Sequence, residues 1–327
     1  MTGRLEPLVS VCVSTRNRGH LMARLVAALE SQTLCDDEFE AIIVDDGSTD
    51  GTFSTLTELA ATTRFRLTPL RNDVSRGPAA GRNLAWHSSR APVIAFTDDD
   101  CVPTPGWLAA GVRALKDDSL VGVGRVTPNP GQRRDYRGFA QTLWIHERQI
   151  NWFATANVFY QRADLETTGG FDEAFLRPSC EDTELGMRVL AIGRRNELVV
   201  DALVHHDVRP RTLGDVLRET SREEFIALLF ARHPELRGRL AYRRLFWKKT
   251  HPQALLAVFG IGLGLIRRRP ILAVALSSWW LHERICLDPP ELRPDGWLVS
   301  LPGYLLVDLA EVRTALRGSL RNGTLIV

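Results

Sequence analysis

With 327 residues, 44% of them hydrophobic, the chain is long enough to bury a full core and carry an appendage, and global disorder is excluded. Lys+Arg of 41 against Asp+Glu of 39 nets only +2, yet residues 1–206 hold 22 basic and 27 acidic side chains while residues 207–327 hold 19 and 12. An acidic first part suits a site that recruits metal, and a basic second part suits anionic partners.

The opening MTGRLEPLVSVCVST has no extended apolar region and no small-residue cleavage site, so no secretory leader is expected. VSVCVST (Val9 to Thr15) is short and β-branched, the pattern of a buried strand. Asn17 is placed to cap a following helix, where Leu21, Leu25 and Leu29 recur at helical spacing. FEAIIVDDGSTDGT predicts a second strand ending in Asp45 and Asp46, FRLTPL a weaker strand, and GPAAGRNLAWHSS a small-residue helix. APVIAFT is then a strand that runs directly into Asp98, Asp99 and Asp100. Adjacent like charges raise one another's pKa unless something positive sits among them. On this motif alone an Asp-rich turn and a cation site carrying phosphate are both open.

PGWLAAGVRALKDD (Pro105 to Asp118) predicts a helix with proline at its start. Further on, Leu185, Val189 and Ile192 mark a helix with Glu181, Asp182 and Glu184 in its first turn, where the dipole favours negative charge. NELVVDALVHHD is a strand ending in His205 and His206. Strands alternating with helices imply an α/β domain with a mostly parallel sheet, whose ligands bind beyond the carboxyl ends of the strands. Asp45, Asp46 and the three later aspartates all fall at such ends.

The second part departs from that pattern. A basic run, RHPELRGRLAYRRLFWKK, precedes two apolar segments split by RRRP, each shorter than the ~20 residues a membrane-spanning helix needs. They predict either a buried helical hairpin or one dipping into the cytoplasmic leaflet, with Lys248, Lys249 and the central arginines at headgroups and Trp279 and Trp280 at the interface. GIGLGL within the first segment lacks the third glycine of a dinucleotide loop and reads as tight apolar helix. Five cysteines (Cys12, Cys35, Cys101, Cys180, Cys286) without CxxC spacing point to reduced thiols in a cytoplasmic setting.

In order, VSVCVSTRNR, VDDGSTDGT, GPAAGRN, FTDDDCVPTPGWL, TANVFYQRADLETTGGFDEAF, CEDTELGMRV and ALVHH resemble the family 2 glycosyltransferases with the GT-A fold, over roughly the first two thirds of the chain. The resemblance implies a Rossmann-like catalytic domain over 1–210, with a nucleotide-binding half to about 104 and an acceptor-side half from 105. A helical, partly apolar extension would fill 211–327, with a membrane-associating hairpin at about 251–284. It also implies a metal-dependent, inverting transfer from a nucleotide-diphosphate sugar to a hydroxyl of a cell-envelope or lipid-linked glycan, at the cytoplasmic face of the membrane and without nucleic acid. Asp100 matches the metal-ligating end of the family's DxD motif, and His206 fits its AxVxH pattern better than His205; carboxylate and imidazole together suit Mn²⁺ or Mg²⁺. Thr15, Arg16, Asp45, Asp46, Arg82, Asn83, Asp98 and Asp99 match donor-binding positions. Asp182 matches the general base, with Glu181 orienting it. Trp152, and less directly Trp144, are the aromatic candidates for stacking on an acceptor sugar.

Two other readings compete. IAFTDDDCV fits the opening of a haloacid-dehalogenase-like phosphatase, but no GDxxxD pair follows it. A non-catalytic nucleotide-sugar-binding or scaffolding subunit is the alternative of a different class, and the presence of Asp100 and Asp182 argues against it.

Overall fold

The computed structural model describes residues 6–286 and 295–327. Residues 1–5, on which part of the leader expectation falls, and the Cys286 side chain lie outside the described residues. Cys12, Cys35 and Cys101 are free thiols among the described residues. The chain divides into two compact units, Met1–Arg133 with Thr142–Val208, and Arg134–Gln141 with Arg209–Val327.

The first unit begins β1 (Val9–Thr15), α1 (Gly19–Glu30), β2 (Phe39–Asp46), α2 (Thr52–Thr62), β3 (Arg66–Asn72), α3 (Pro78–Ser88) and β4 (Val93–Thr97). It continues through β5 (Cys101–Pro103), α4 (Trp107–Ala114), β6 (Leu120–Pro128), β7 (Asn157–Gln161), α5 (Arg162–Thr168), α6 (Glu181–Ala191) and β8 (Arg195–His206). All eight strands form one sheet in the order β3-β2-β1-β4-β7-β6-β8-β5. β2 and β4 are buried at every position, which is why residues 41–44 and 93–96 are continuous apolar runs rather than alternating ones. β3 stands at the edge, where Pro69 removes no ladder donor that a neighbour needs.

β1 pairs in parallel with β2 on one side and with β4 on the other. The order reverses there, so the ends of β1, β2 and β4 open on one crevice. The alternation of strands and helices predicts a mostly parallel sheet; the structure is mixed, with β4·β7, β6·β7 and β5·β8 antiparallel. The reason is local. No α-helix lies between β6 and β7, and a parallel partner requires a long crossover.

Two other expectations change. Asn17 sits in the left-handed region at φ 52 and caps nothing; its Oδ1 accepts the Thr49 N–H at 2.8 Å, tying the end of β1 to the loop after β2. α4 starts at Trp107 rather than Pro105, because the Trp107 N–H closes a turn onto the Thr104 carbonyl at 3.0 Å.

β6 and β8 run in register to Gly124↔Val199, then resume at Arg125↔Leu203. Asn157 fills that bulge. Its Nδ2 donates to the Arg125 and Ala202 carbonyls at 3.0 and 2.8 Å, and its Oδ1 accepts the Trp107 Nε1–H at 2.8 Å. Gly124 is needed beside it, since a Cβ there would stand 2.2 Å from the Asn157 amide.

The second unit is helical: α7 (Leu213–Glu219), α8 (Glu224–Arg232), α9 (Arg237–Leu240), α10 (Thr250–Ile266), α11 (Pro270–Cys286) and α12 (Leu301–Asn322). α7 opens on a capping box in which Thr212 and Asp215 satisfy each other's backbone N–H. α10 and α11 form a hairpin that closes through small residues. A Cβ on Gly260 would stand 2.4 Å from that of Leu276, and one on Gly264 3.2 Å from that of Ala273. GIGLGL is thus a helix–helix contact.

Ala254, Ala257 and Trp280 anchor the base of the hairpin, with Leu301, Tyr304, Leu305 and Leu309 of α12 packed against them. Asp308 is buried there and accepts hydrogen bonds from Thr250 Oγ1 at 3.0 Å, Trp280 Nε1 at 2.7 Å and Arg284. Trp280 therefore faces inward and only Trp279 is exposed, since neighbouring residues on a helix lie about 100° apart. Lys248 is likewise committed, to both oxygens of Glu311 at 2.8 Å, and Lys249 lies 3.8 Å from Glu283. No described helix is long and apolar enough to cross a membrane.

Asn157→Ala strands the Trp107 indole N–H and two buried carbonyls, at roughly 1–3 kcal/mol for a stranded group. Urea unfolding should therefore show the variant less stable by about 3 kcal/mol or more with an unchanged slope.

Candidate active site

Beyond β4 the chain turns sharply, the Cys101 N–H bonding to the Asp98 carbonyl at 3.2 Å. Asp99 and Asp100 are buried, at 4% and 5% exposure, so their charge has to be met from inside the protein. Arg18, just ahead of α1, does this: its Nη1 donates to Asp99 Oδ1 and, at 3.1 Å, to Asp100 Oδ2. Thr15 Oγ1 donates to the other Asp99 oxygen at 2.7 Å. Burial still pushes the Asp99 carboxyl up to about 6, with Arg18 opposing it.

A second guanidinium serves the third aspartate. Arg82, buried on α3, donates from Nη2 to Asp98 Oδ1 at 3.0 Å and from Nη1 to Glu181 Oε1 at 2.8 Å. The other Glu181 oxygen accepts the Ser179 N–H at 2.7 Å, so both are taken. Asp182, the next residue, keeps one oxygen for the Thr183 N–H at 2.7 Å. Burial, and then the neighbouring Glu181 charge, push its carboxyl up to about 7, against the Thr183 hydrogen bond and Arg82. That value is matched to proton transfer near neutrality.

The two histidines separate by strand geometry. β8 sets His206 opposite Cys101 and His205 opposite Val102, and successive side chains point to opposite faces. His206 Nε2 lies 3.4 Å from Asp100 Oδ1, whereas His205 Nδ1 meets Thr127 Oγ1 at 2.9 Å. His206 Nδ1 is 2.8 Å from the Asp207 carbonyl, which can only accept, so Nδ1 carries a proton and Nε2 is the atom turned to Asp100. Ligand atoms of Asp100, Cys101 and His206 lie within 4.8 Å of one another. Burial drives the Cys101 thiol pKa well upward, which leaves carboxylate oxygen and imidazole nitrogen as the donors. That donor set fits a divalent cation of the Mn²⁺ or Mg²⁺ type.

At the end of β2 the two aspartates differ. Asp45 Oδ1 accepts the Ser48 N–H at 3.0 Å, while its buried Oδ2 has Arg71 Nε 3.7 Å away and accepts no hydrogen bond among the described residues. An open buried acceptor of this kind suits a ligand N–H. Asp46 is saturated by Asn72, Ser75 and the N–H groups of Arg76 and Gly77, at 2.8 to 2.9 Å. Asn83 is also spent, on both backbone groups of Phe171, Trp86 Nε1 and Glu173.

Arg16 is exposed next to Thr15. Trp152 is 37% exposed, and its carbonyl accepts Thr183 Oγ1 at 2.9 Å, one residue from Asp182. Trp144 is half-buried beside Ile145, which bridges to Val126. The fold thus gathers Thr15, Asp98 to Asp100, Arg82, Glu181, Asp182 and His206, and uses Asp46 and Asn83 to hold loops. Arg18 carries no expectation from sequence. The signal for it is the question the three aspartates raise, namely which cation near a strand end neutralises them.

Residues 10–170 match the family model described as Glycosyl transferase family 2. Glycosyltransferase AglE of Haloferax volcanii is 28% identical over 228 residues, 68% of this chain and 73% of AglE. The validoxylamine A glucosyltransferase of Streptomyces hygroscopicus is 27% identical over 57% of this chain and 49% of its own length. The pre-mycofactocin glycosyltransferase of Mycobacterium tuberculosis is 27% identical over 69% and 48%. The chain thus spans about half the length of these last two relatives. Among solved structures, the mannosyltransferase PcManGT from Pyrobaculum calidifontis, in complex with GDP-Man and Mn²⁺, superposes with a TM-score of 0.60 at 18% identity, covering 96% of this chain and 87% of that one. S. aureus TarS 1-349 in complex with UDP gives 0.52 at 17% identity over 98% and 92%. The fold is GT-A.

Arg82→Met leaves two buried or half-buried carboxylates without their cation, at about 3 kcal/mol or more of stability. Because Arg82 lowers the Asp182 pKa, carboxyl NMR titration of the variant should find Asp182 protonating above its wild-type value of about 7.

Proposed function

Residues 10–170 make this chain a family 2 glycosyltransferase, and from that premise we propose a metal-dependent, inverting transfer of a sugar from a nucleotide-diphosphate donor to a hydroxyl group. The acceptor in this reading is a lipid-linked or cell-envelope glycan met at the cytoplasmic face of the membrane. The observation that carries the proposal is the chain Asp98–Arg82–Glu181, which ties the acidic strand end to the helix turn bearing Asp182. The GDP-Man and Mn²⁺ of the mannosyltransferase neighbour and the UDP of the TarS neighbour support a nucleotide-diphosphate sugar and a divalent cation.

Asp100 and His206 would hold Mn²⁺ or Mg²⁺, which when bound neutralises the charge developing on the departing diphosphate. Asp182 takes the proton of the acceptor hydroxyl as that oxygen bonds to the anomeric carbon. The bond from that carbon to the diphosphate oxygen breaks, and the nucleotide diphosphate leaves with the electron pair. One displacement inverts the anomeric centre. Glu181 orients the turn and is not the base, since both its oxygens are already engaged. Asp98 and Asp99 meet the ribose and the groups around the cation, and the open oxygen of Asp45 takes an N–H of the base. Thr15 and Arg16 line the same strand end, and Arg82 lies nearest the donor sugar and diphosphate. Asp46 and Asn83 act at one remove, through the loops they hold. Trp152 offers its exposed face to the acceptor, with Trp144 further along the same segment.

Calorimetry should find nucleotide diphosphate binding lost in EDTA and restored by Mn²⁺ or Mg²⁺; unchanged affinity without metal would sink the cation role. Asp182→Asn should bind donor nearly as wild type and lose roughly two to four orders of magnitude in turnover. A base must be ionised to act, so wild-type turnover should rise with pH through about 7 and level off above it. A flat profile across that value assigns the base elsewhere.

A further inference from the structure

The hairpin of α10 and α11 presents apolar surface that no described residue of its own unit covers. Phe259, Leu265 and Ile266 on α10 are 62, 76 and 80% exposed, and Ile271, Val274 and Trp279 on α11 are 72, 68 and 45% exposed. The bulkiest exposure clusters at the turn, the end farthest along the hairpin from the anchored Ala254 and Trp280. Contiguous apolar faces of this kind mark interaction sites rather than ordinary solvent surface.

Charge identifies the occupant. Between Gln253 and His282 the sequence has no acidic residue, and its only full charges are Arg267, Arg268 and Arg269 at the turn. All three are exposed, and none has an ion pair among the described residues. Two copies meeting through this face would bring six arginines together without one carboxylate, a juxtaposition that disfavours self-association. We propose that the hairpin is a monotopic anchor that lies in the surface of an anionic bilayer, its apolar tip in the acyl boundary and its arginines on lipid phosphates.

The pose follows from length and charge. Each helix has 17 residues, about 25 Å, against a hydrocarbon core of about 30 Å. A tip-first crossing would also carry three arginines through that core. A shallow pose lets them reach up to phosphates along their apolar stems. Trp279 then sits at headgroup level, where indoles concentrate. The anchor is independent of the catalytic reading: it uses no residue of the first unit, and its test needs no turnover.

The test is flotation of the full-length protein with phosphatidylcholine vesicles and with vesicles that also contain phosphatidylglycerol. Wild type should float with the anionic vesicles only, losing binding as salt rises, with the emission of its tryptophans shifted to the blue. Replacing one turn arginine, Arg268→Ala, should weaken partitioning about five-fold. Ile266→Asp should weaken it about ten-fold or more. Circular dichroism and nucleotide diphosphate binding of both variants should match wild type, which separates lost anchoring from lost fold. Wild type remaining in the soluble fraction with anionic vesicles overturns the proposal. So does a concentration-dependent dimer in analytical ultracentrifugation that Ile266→Asp dissolves, because the face is then a contact between copies of this chain.

Discussion

Three carboxylates can leave one strand end of a folded protein only because two guanidinium groups lie among them. Arg18, ahead of α1, and Arg82, on α3, both precede β4 in the sequence and meet its end in space. Removing a carboxylate from water costs several kcal/mol unless a partner compensates, so this acidic end is a tertiary product and not a local turn. The same arrangement sets what the site can do. Arg18 is partly exposed and touches Asp99 and Asp100, whereas Arg82 is buried and fixed at both ends.

The sheet supplies that frame in two halves with different rules. β1, β2 and β4 are parallel and point their ends into one crevice. β7, β6, β8 and β5 add antiparallel pairings, through which Asp100 and His206 come together from strands about a hundred residues apart. Asn157 lies where these halves share a load, since its amide closes the bulge between β6 and β8 while it forms the first residue of β7. A polar side chain at zero exposure is tolerated there because every one of its bonds is made.

Much of this was legible in the sequence, and what was not has a common cause. Strands with continuous apolar runs, and the acids at their ends, follow from composition along a single segment. Residues whose role depends on a second segment do not. His205 and His206 differ only in which face of β8 they occupy, and pairing with β5 decides it. Asn17 looks like a cap until the loop after β2 supplies Thr49 as its partner. Trp279 and Trp280 are alike in sequence, and Asp308 of α12 separates them. Lys248 belongs to a basic run as written, yet in space it is the counterion of Glu311. For Asn17, Trp280 and Lys248 a long-range hydrogen bond or ion pair overrides the local pattern.

Gly77 links the loops on the two sides of the crevice. Its N–H is one of the donors that Asp46 collects from the loop between β3 and α3, and its φ of 94 admits a glycine readily and other residues only with strain. A Cβ at this position would stand 2.6 Å from the Leu176 carbonyl, in the stretch leading to Cys180 and the first turn of α6. The two loops therefore touch backbone to backbone at a point with no side chain that could be re-chosen to absorb a misfit. For anyone grafting specificity between relatives, residues 72–77 and 171–180 are one exchangeable part: transplanting either alone would set a foreign main chain against Gly77, and only the pair travels intact.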